Sequence, residues 1–580
     1  VLAVLSIAAL PYGAALAEET SGDARASEEI IVTGSRIRGA APVGLNVIGL
    51  EREDIESAQN LTTDRIIREV PQVYNLGVSD ASRGQSGGAG NIVFGNAINL
   101  HGIGPYATLT LVDGHRPVTN SRSFDPSTIP SLGLERIEIV ADGASAVYGS
   151  DAIAGVVNLV PRRNLNGFDT SLRYGDGNAY NEYQAGIAGG NVWSGGQLMV
   201  AFEHTYLSNL SGDDRSFFTS DQRPFGGGDY RVTRCNPGTL LVAAAATPTS
   251  PTGATPYAIP PGGVTAANAA SLVAGTSNKC DLATGQDLLP QQKYNSLNAT
   301  YTQRVNDWFE LFADGFFSRR EYIRKPAYAS SAALLVPSTN AFFVSPPGTT
   351  TNEYVDYNFA GDFPRDTQTG ISENWEVTPG LRFTLPGDFR LETLFTYGRS
   401  DDEANTTHGI GNGALNAALA SNNPATAFDP FGLHRTSAAT LAAIANQIFL
   451  APTLTAFKGY EARVNGSLFH LPGGDVRIAA GYEGQRMAVA LGLARGNPGT
   501  AIVYRNFDRN VDSEYAELLI PVVGSANAIT AVNRLEFTAA VRYDKYSDVG
   551  TTTNPKFGLN WSPVESLKMR GSYGTSFRAP

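Results

Sequence analysis

Three features of these 580 residues predict a mainly β protein, a transmembrane antiparallel β-barrel preceded by a mixed α/β unit. From Phe168 onward, apolar and polar residues alternate with a period of two, which places successive side chains on opposite faces of a strand. The second face of those strands carries charge, and this excludes a dry sandwich core, because a buried charge without a partner is strongly destabilising. The connections between strands alternate short and long, as the two ends of a membrane barrel require. An apolar outside with a charged inside fits lipid without and water, or a polar filling, within.

Composition agrees with this reading. The chain is too long for one ordinary core. Its formal net charge of −12 argues against nucleic acid as a partner. The 62 Gly, 24 Tyr and 27 Phe suit twisted sheet with aromatic girdles. Residues 1–17, VLAVLSIAALPYGAALA, read as the apolar part and cleavage site of a secretory signal. With no basic start and no Met, the reading is of a chain truncated at its beginning. No other apolar run approaches the ~20 residues of a membrane helix, so an exported chain of this kind is soluble or a β-barrel. Cys235 and Cys280 fit an oxidising compartment and are a candidate disulfide, with two unpaired thiols as the alternative.

After a polar stretch, residues 18–27, the run Glu29, Ile30, Ile31, Val32, Thr33 is a short β-branched segment in flexible surroundings. A free strand of this kind can add to the edge of a partner's sheet; an ordinary first strand of the next unit is the other reading. From Ala41 the pattern is strand, helix, strand. Ile66, Ile67 and Val70 share an apolar helix face that Pro71 ends. Asp80 to Asn96 is a glycine-rich loop. Gly84-Gln85-Ser86-Gly87-Gly88 within it matches a nucleophile elbow by letter only, with no strand before it and no helix after it. Ala97 to Pro117 gives two strands around an Asp113-Gly114 turn, and LERIEIV (Leu134 to Val140) gives another. Then ADGASAVYGSDAIAGVVNLVPRRN, Ala141 to Asn164, combines Gly143, Gly149 and Gly155 with an apolar run and a basic stop. Glycines at that density permit positive φ and close backbone approach.

That last stretch closely resembles the end of the plug domain of TonB-dependent outer-membrane receptors, and NLHGIGPYATLTLVDGHRP and LERIEIV resemble the same plug. The resemblance implies a leader over 18–40 with Glu29 to Thr33 as its TonB box, a plug domain over 41–165, and a barrel over 166–580. About 13 strands can be counted where the family's barrels close with about 22, so the chain reads as truncated at its end as well and as unable to insert stably as written. His101 stands where the family usually has the Arg of a charged plug–barrel lock, which leaves Arg116 as a candidate member. Arg136 and Glu138 are further candidate plug–barrel contacts. The implied partners are TonB with its energising complex, outer-membrane lipid and lipopolysaccharide, and a scarce small-molecule ligand, most simply a ferric siderophore or similar iron complex. Importers of carbohydrate, cobalamin or peptide, and receptors that bind without transport, share the architecture.

In the barrel, Phe168, Leu172 and Tyr174 oppose Asp169, Ser171 and Arg173. Leu198, Val200, Phe202 and Tyr206 oppose Gln197, Glu203 and Thr205; Tyr460, Ala462 and Val464 oppose Glu461, Arg463 and Asn465; Phe537, Val541 and Tyr543 oppose Glu536, Thr538, Arg542 and Asp544. Short turns are expected near residues 191–196, 305–307, 385–388, 471–474 and 562–566, and long connections near 208–291, 321–370 and 401–457. Leu241 to Gly275 reads as irregular loop. Leu415 to Gly432 resembles an external-loop segment that recurs in a large subgroup of the family. Arg319, Arg320, Tyr322, Arg324 and Lys325 cluster cations with an aromatic ring at a strand's outer end. Such a surface favours an anionic, ring-bearing ligand, or lipopolysaccharide phosphate. The glycine-rich loop and Thr119 to Asp125 are candidate ligand contacts of the plug.

No phosphate loop, HExxH or Cys/His constellation is present, and the six His are scattered, so neither enzymatic activity, a cofactor nor a protein-held metal is expected. Concentrative import then needs energy from outside the chain. A porous outer membrane sustains little potential, which leaves a mechanical pull on the leader by a partner.

Overall fold

The computed structural model describes residues 33–58, 60–74, 93–119, 123–242, 251–347 and 353–579. The signal stretch, Glu29 to Val32, most of the glycine-rich loop and residues 120–122 lie outside the described residues.

The N-terminal unit is built on four strands, β1 (Val47–Leu50), β2 (Thr108–Val112), β3 (Leu134–Val140) and β4 (Gly155–Pro161), in the order β1-β3-β4-β2. β2 and β4 run parallel and the other pairs antiparallel. β3 and β4 are interior and buried on both faces, which is why LERIEIV and GVVNLV carry so many β-branched residues. α1 (Arg52–Ser57) starts with a reciprocal cap between Glu51 and Asp54, and α2 (Thr63–Ile67) follows it. Both helices lay apolar residues on the sheet: Ile55, Ile66, Ile67, Ile137, Ile139, Val157 and Leu159 form one core. α3 (Ser145–Tyr148) ends at Gly149, whose φ is +79°. Gly155, at φ +146°, passes so close to Val140 that a Cβ would overlap its carbonyl oxygen.

Among the described residues a 14-stranded antiparallel sheet wraps this unit, made of the short strand Gln447–Leu450 and thirteen long ones. The long strands are β5 (Gly167–Gly177), β6 (Tyr180–Trp193), β7 (Gly196–Leu207), β8 (Gln291–Asn306), β9 (Phe309–Arg324), β10 (Gln368–Thr384), β11 (Arg390–Gly409), β12 (Thr453–Leu471), β13 (Gly474–Gly496), β14 (Val503–Val523), β15 (Arg534–Tyr546), β16 (Gly550–Val564) and β17 (Leu567–Gly574). Each pairs with the next along the chain, and β5 and β17 are the edges of the sheet among the described residues. The alternation places side chains as expected. On β7, Leu198, Val200 and Phe202 are 37–43 % exposed, while Gln197, Thr205 and Glu203 between them are buried against the plug. Trp308, Phe309 and Phe383 stack at the short-turn end of β9 and β10, with centroids 5.1–6.2 Å apart, an aromatic girdle on the outward face.

Two expectations are corrected. Short and long connections do not alternate throughout. At the end opposite the girdle, residues 208–290, 325–367 and 410–452 are long, but 178–179, 497–502 and 547–549 are short. Nor is Leu241 to Gly275 simply irregular. Thr239–Val242 and Thr255–Ala258 join Glu353–Asn358 and Ser330–Val336 in a four-stranded sheet. With α4 (Asn412–Ala420) and α5 (Ala438–Ile444) this sheet encloses a second core, in which Leu240, Val355, Tyr357, Phe359, Phe428 and Phe431 are all fully buried. The long connections are therefore one folded cap, and the 415–432 segment supplies its centre. Each loop alone has too few apolar residues to bury; three together have enough.

Candidate functional site

The first described residues of the leader, Thr33 to Arg36, are bonded to plug and barrel. Thr33 donates from its backbone N–H to Glu138 Oε2 at 2.9 Å and from its hydroxyl to the same oxygen, and Asn158 Nδ2 donates to the Thr33 hydroxyl at 3.0 Å. Gly34 N–H donates to the Tyr148 hydroxyl at 3.1 Å. Two residues further on, the contacts pass from plug to barrel. Ser35 Oγ and Arg36 N–H donate to Glu517 at 2.8 and 2.6 Å. The Arg36 guanidinium pairs with Glu483 at 2.6 Å and Glu461 at 3.5 Å, between the rings of Tyr148 and Tyr515 at 4.7 and 5.2 Å. Burial alone would discharge Arg36; Glu461, Tyr515 and Glu483 outweigh it and hold the pKa above its ordinary value. Burial also raises the Tyr148 phenol, which keeps it neutral beside the leader.

These carboxylates belong to a wider belt on the lumen wall. Arg542 pairs with Glu483 at 2.6 Å and Asp544 at 2.7 Å, Arg463 with Glu392 and Glu461, and Arg382 with Glu392 and Glu310. Strand parity explains why they meet: every one lies at an inward position. On the plug side, His115 Nδ1 is 3.2 Å from Glu461, Arg163 pairs with Asp113 and Asp314 at 2.9 Å, and Asp125 pairs with Arg320. Two wall carboxylates hold the plug by its backbone. Glu203 accepts from Ser131 and Leu132 N–H at 3.0 and 2.7 Å, and Glu376 from Val118 N–H at 2.5 Å.

The candidate plug–barrel residues sit elsewhere. Arg116 bonds Asp151 and the Tyr148 and Ser150 carbonyls, and Arg136 bonds Glu138, which in turn holds Thr33. All of these partners lie in plug or leader: Arg136 and Glu138 sit on β3, an interior strand of the plug sheet, and Arg116, just past β2, is turned onto the loop that follows α3. His101 likewise faces Ala141 O at 3.1 Å. Ion pairs that cross to the barrel are made by Arg36, Arg65, Asp125, Arg162 and Arg163, and the His115 ring also reaches Glu461. Arg36 is a site residue that sequence reasoning missed, although its place three residues past Thr33 was open to view.

The five-residue basic cluster is split by the pleat. Arg320, Tyr322 and Arg324 face the lumen: Arg320 lies over Tyr294 at 5.7 Å, Tyr322 meets Phe94 edge-on at 4.8 Å, and Arg324 lies over Phe94 at 5.4 Å. Arg319 faces outward, bonded to Glu321 and Glu373 at 3.0 and 3.2 Å. Lys325 lies just past the strand, its N–H donating to Asp287 at 2.6 Å. Above, Arg365 stacks on Tyr328 at 4.0 Å. Arg320, Tyr322 and Arg324 are therefore buried among rings on the lumen side of β9. Cys235 and Cys280 are bonded at the base of the cap, spanning 45 residues.

Comparison with known proteins agrees with this architecture. The model described as TonB-dependent Receptor Plug Domain matches residues 41–156, and that described as TonB dependent receptor-like, beta-barrel matches residues 312–580. A variant of the ferric enterobactin receptor PfeA from Pseudomonas aeruginosa is 16 % identical, covers 93 % of this chain and 62 % of its own, and superposes with a TM-score of 0.53. The ferric citrate transporter FecA, unliganded, is 10 % identical over 92 % and 63 % of the two chains, also at 0.53. The siderophore receptor PirA from Acinetobacter baumannii is 14 % identical over 95 % and 63 %, again at 0.53. At such identities the likeness is one of fold, and the chain spans 62–63 % of the length of these structures.

Proposed function

As this chain belongs to the TonB-dependent receptors of the Gram-negative outer membrane, a family of non-enzymatic transporters, we propose that it binds a scarce anionic ligand, most simply a ferric siderophore or similar iron complex, and imports it into the periplasm on energy delivered through TonB. The observation that carries this reading is the docking of Thr33 to Arg36. One short segment is bonded to plug strand β3 through Glu138 and to the barrel wall through Glu461, Glu483 and Glu517. A pull on Glu29 to Thr33 therefore acts at once on the plug sheet and on the charged seam that seats the plug. Breaking a buried pair from one side is strongly destabilising, because it strands the remaining charge.

The ligand class is supported by the lumen chemistry. Arg320, Arg324 and Arg365 with Phe94, Tyr322 and Tyr328 offer guanidinium and ring surfaces, which suit a planar, negatively charged chelate. The similar structures are those of receptors for ferric enterobactin, ferric citrate and siderophores, which supports an iron complex as the ligand.

The test uses the full-length protein in its own membrane with radiolabelled ferric catecholate and ferric citrate. Deleting Glu29 to Thr33 is expected to abolish accumulation in the periplasm and leave saturable surface binding intact. Undiminished uptake would overturn the coupling. Binding of labelled oligosaccharide, cobalamin or peptide but of neither chelate would overturn the ligand class alone.

A further inference from the structure

On the outward wall, the aromatic stack of Trp308, Phe309 and Phe383 marks one edge of the apolar band. Arg319 lies ten residues along β9 from Phe309, a height of about 25 Å at ~3.3 Å per residue and a tilt near 40°, which is the height of the apolar band of such barrels. Outward cations recur at that level on neighbouring strands. Arg319 is opposite Glu373, Arg399 opposite Trp375, Lys458 opposite Tyr397, and Lys458 directly opposite Arg486. The first three contacts step by two residues, the stagger that tilted strands require.

These cations differ in how they are neutralised. Arg319 is held by Glu321 and Glu373, and Arg399 by Asp401 at 2.8 Å. Lys458 and Arg486 are exposed and face each other across the β12–β13 ladder, and neither forms an ion pair with a carboxylate among the described residues. The Lys458 ammonium has only the Tyr397 ring, 5.7 Å away. Like charges directly opposite in a ladder destabilise it unless an anion lies between them. Below the pair, toward the apolar band, the Tyr460 and Tyr482 rings lie 5.9 Å apart, and Gly484 leaves room for them, since a Cβ there would strike the Tyr460 ring. Above it Ala456 stands opposite Ala488, and on β14 the outward carboxylates Asp508, opposite Ala488, and Asp512, opposite Gly484 and bonded by the Tyr482 hydroxyl, flank Arg486 without pairing with it among the described residues.

We propose that Lys458 and Arg486 form a binding site for the phosphate of a phosphorylated glycolipid of the outer leaflet, with Tyr397, Tyr460 and Tyr482 as the platform for its sugar and upper acyl portion. The oxygens of one phosphate accept from the ammonium and the guanidinium together, and a bridging anion converts the repulsion across the ladder into two charge-assisted contacts. The position favours a lipid over a free ion: the pair sits at headgroup height on the lipid-facing wall, directly above aromatic rings, and outside the passage a transported ligand would use. The inference rests on the outer-membrane location and not on the ligand or on coupling to TonB.

The experiment uses full-length protein in phospholipid nanodiscs containing either bisphosphorylated lipopolysaccharide or the same lipid stripped of phosphate. Wild type is expected to retain the phosphorylated lipid through purification, and the double variant Lys458→Gln, Arg486→Gln to bind it weaker by a factor on the order of thirty, the effect of two interfacial cations. Arg319→Gln, whose charge is already neutralised, is expected to change binding far less. Heat-modifiable gel mobility confirms that each variant is folded, which substitution at two outward positions preserves. Equal binding by wild type and double variant, equal binding of the dephosphorylated lipid, or displacement of the lipid by millimolar inorganic phosphate would each overturn the proposal.

Discussion

Arg36 and Glu483 close an ion pair of 2.6 Å across 447 residues of sequence, joining the leader to barrel strand β13. Glu483 is shared with Arg542, and Glu461, the second carboxylate on Arg36, is shared with His115 and Arg463. Removing one cation therefore leaves several buried charges short of a partner.

Replacing Arg36 with Ala is expected to weaken the seating of the leader by about 3–5 kcal/mol, the usual cost of breaking a buried pair from one side. Protease cleavage just before Thr33 should become faster in the unliganded full-length protein, with the barrel still folded. Combining Arg36→Met with Glu483→Gln should recover part of the protection, because fewer charges are then stranded. Unchanged cleavage in Arg36→Ala would show that the pair does not hold the leader.

Arg319 and Arg320 are adjacent in sequence but opposite in orientation, and their substitutions should differ accordingly. Arg320→Ala frees Asp125 at the plug apex and removes a lumen cation. Equilibrium binding of a labelled ferric chelate to intact cells is expected to fall by about tenfold or more, the loss of one contact to a charged group. Arg319→Ala should leave it unchanged.

The Cys235–Cys280 bond closes a loop that contributes two of the cap's four strands. Replacing both cysteines with Ser should destabilise the cap by ~4 kcal/mol on the chain-entropy model. Amide hydrogen exchange is expected to accelerate over residues 239–242, 255–258 and 353–358, while the barrel strands remain protected.

Glu353 begins the central cap strand with its side chain enclosed, and burial pushes its pKa from 4.5 up to about 7, against a small opposing effect of the Ser345 hydroxyl. A carboxyl with a raised folded-state value binds its proton more tightly when folded. Its contribution is therefore fully present below pH 4.5 and lost as pH rises toward 7. The cap should be more stable at the acid end by at most about 3 kcal/mol, and Glu353→Gln should flatten that dependence. A cap whose exchange rates, corrected for intrinsic chemistry, are the same across this range would contradict the assignment.

Strand alternation could be read from the chain because it is local. Phe168, Val200, Phe537 and Tyr543 point outward for the same reason that their neighbours point inward, and no distant residue is needed to decide it. The glycines and β-branched runs of Leu134 to Val160 likewise mark a buried sheet by their own chemistry. Pairing across the lumen could not be read in that way. Glu461, Glu483 and Glu517 were recognisable at most as inward charges, and which plug group each meets depends on how a separate unit is rotated inside the sheet. Arg116, Arg136 and Glu138 looked equally suited to the wall; the interior position of β3 turns Arg136 and Glu138 toward their own domain, and the loop after α3 captures Arg116. The cap was hidden for a related reason: Leu240, Val355 and Phe431 come from three connections, none of which shows a periodic apolar face. Periodicity records what one strand does with its two sides, whereas contacts between units separated by hundreds of residues come into being only when the chain has closed around itself.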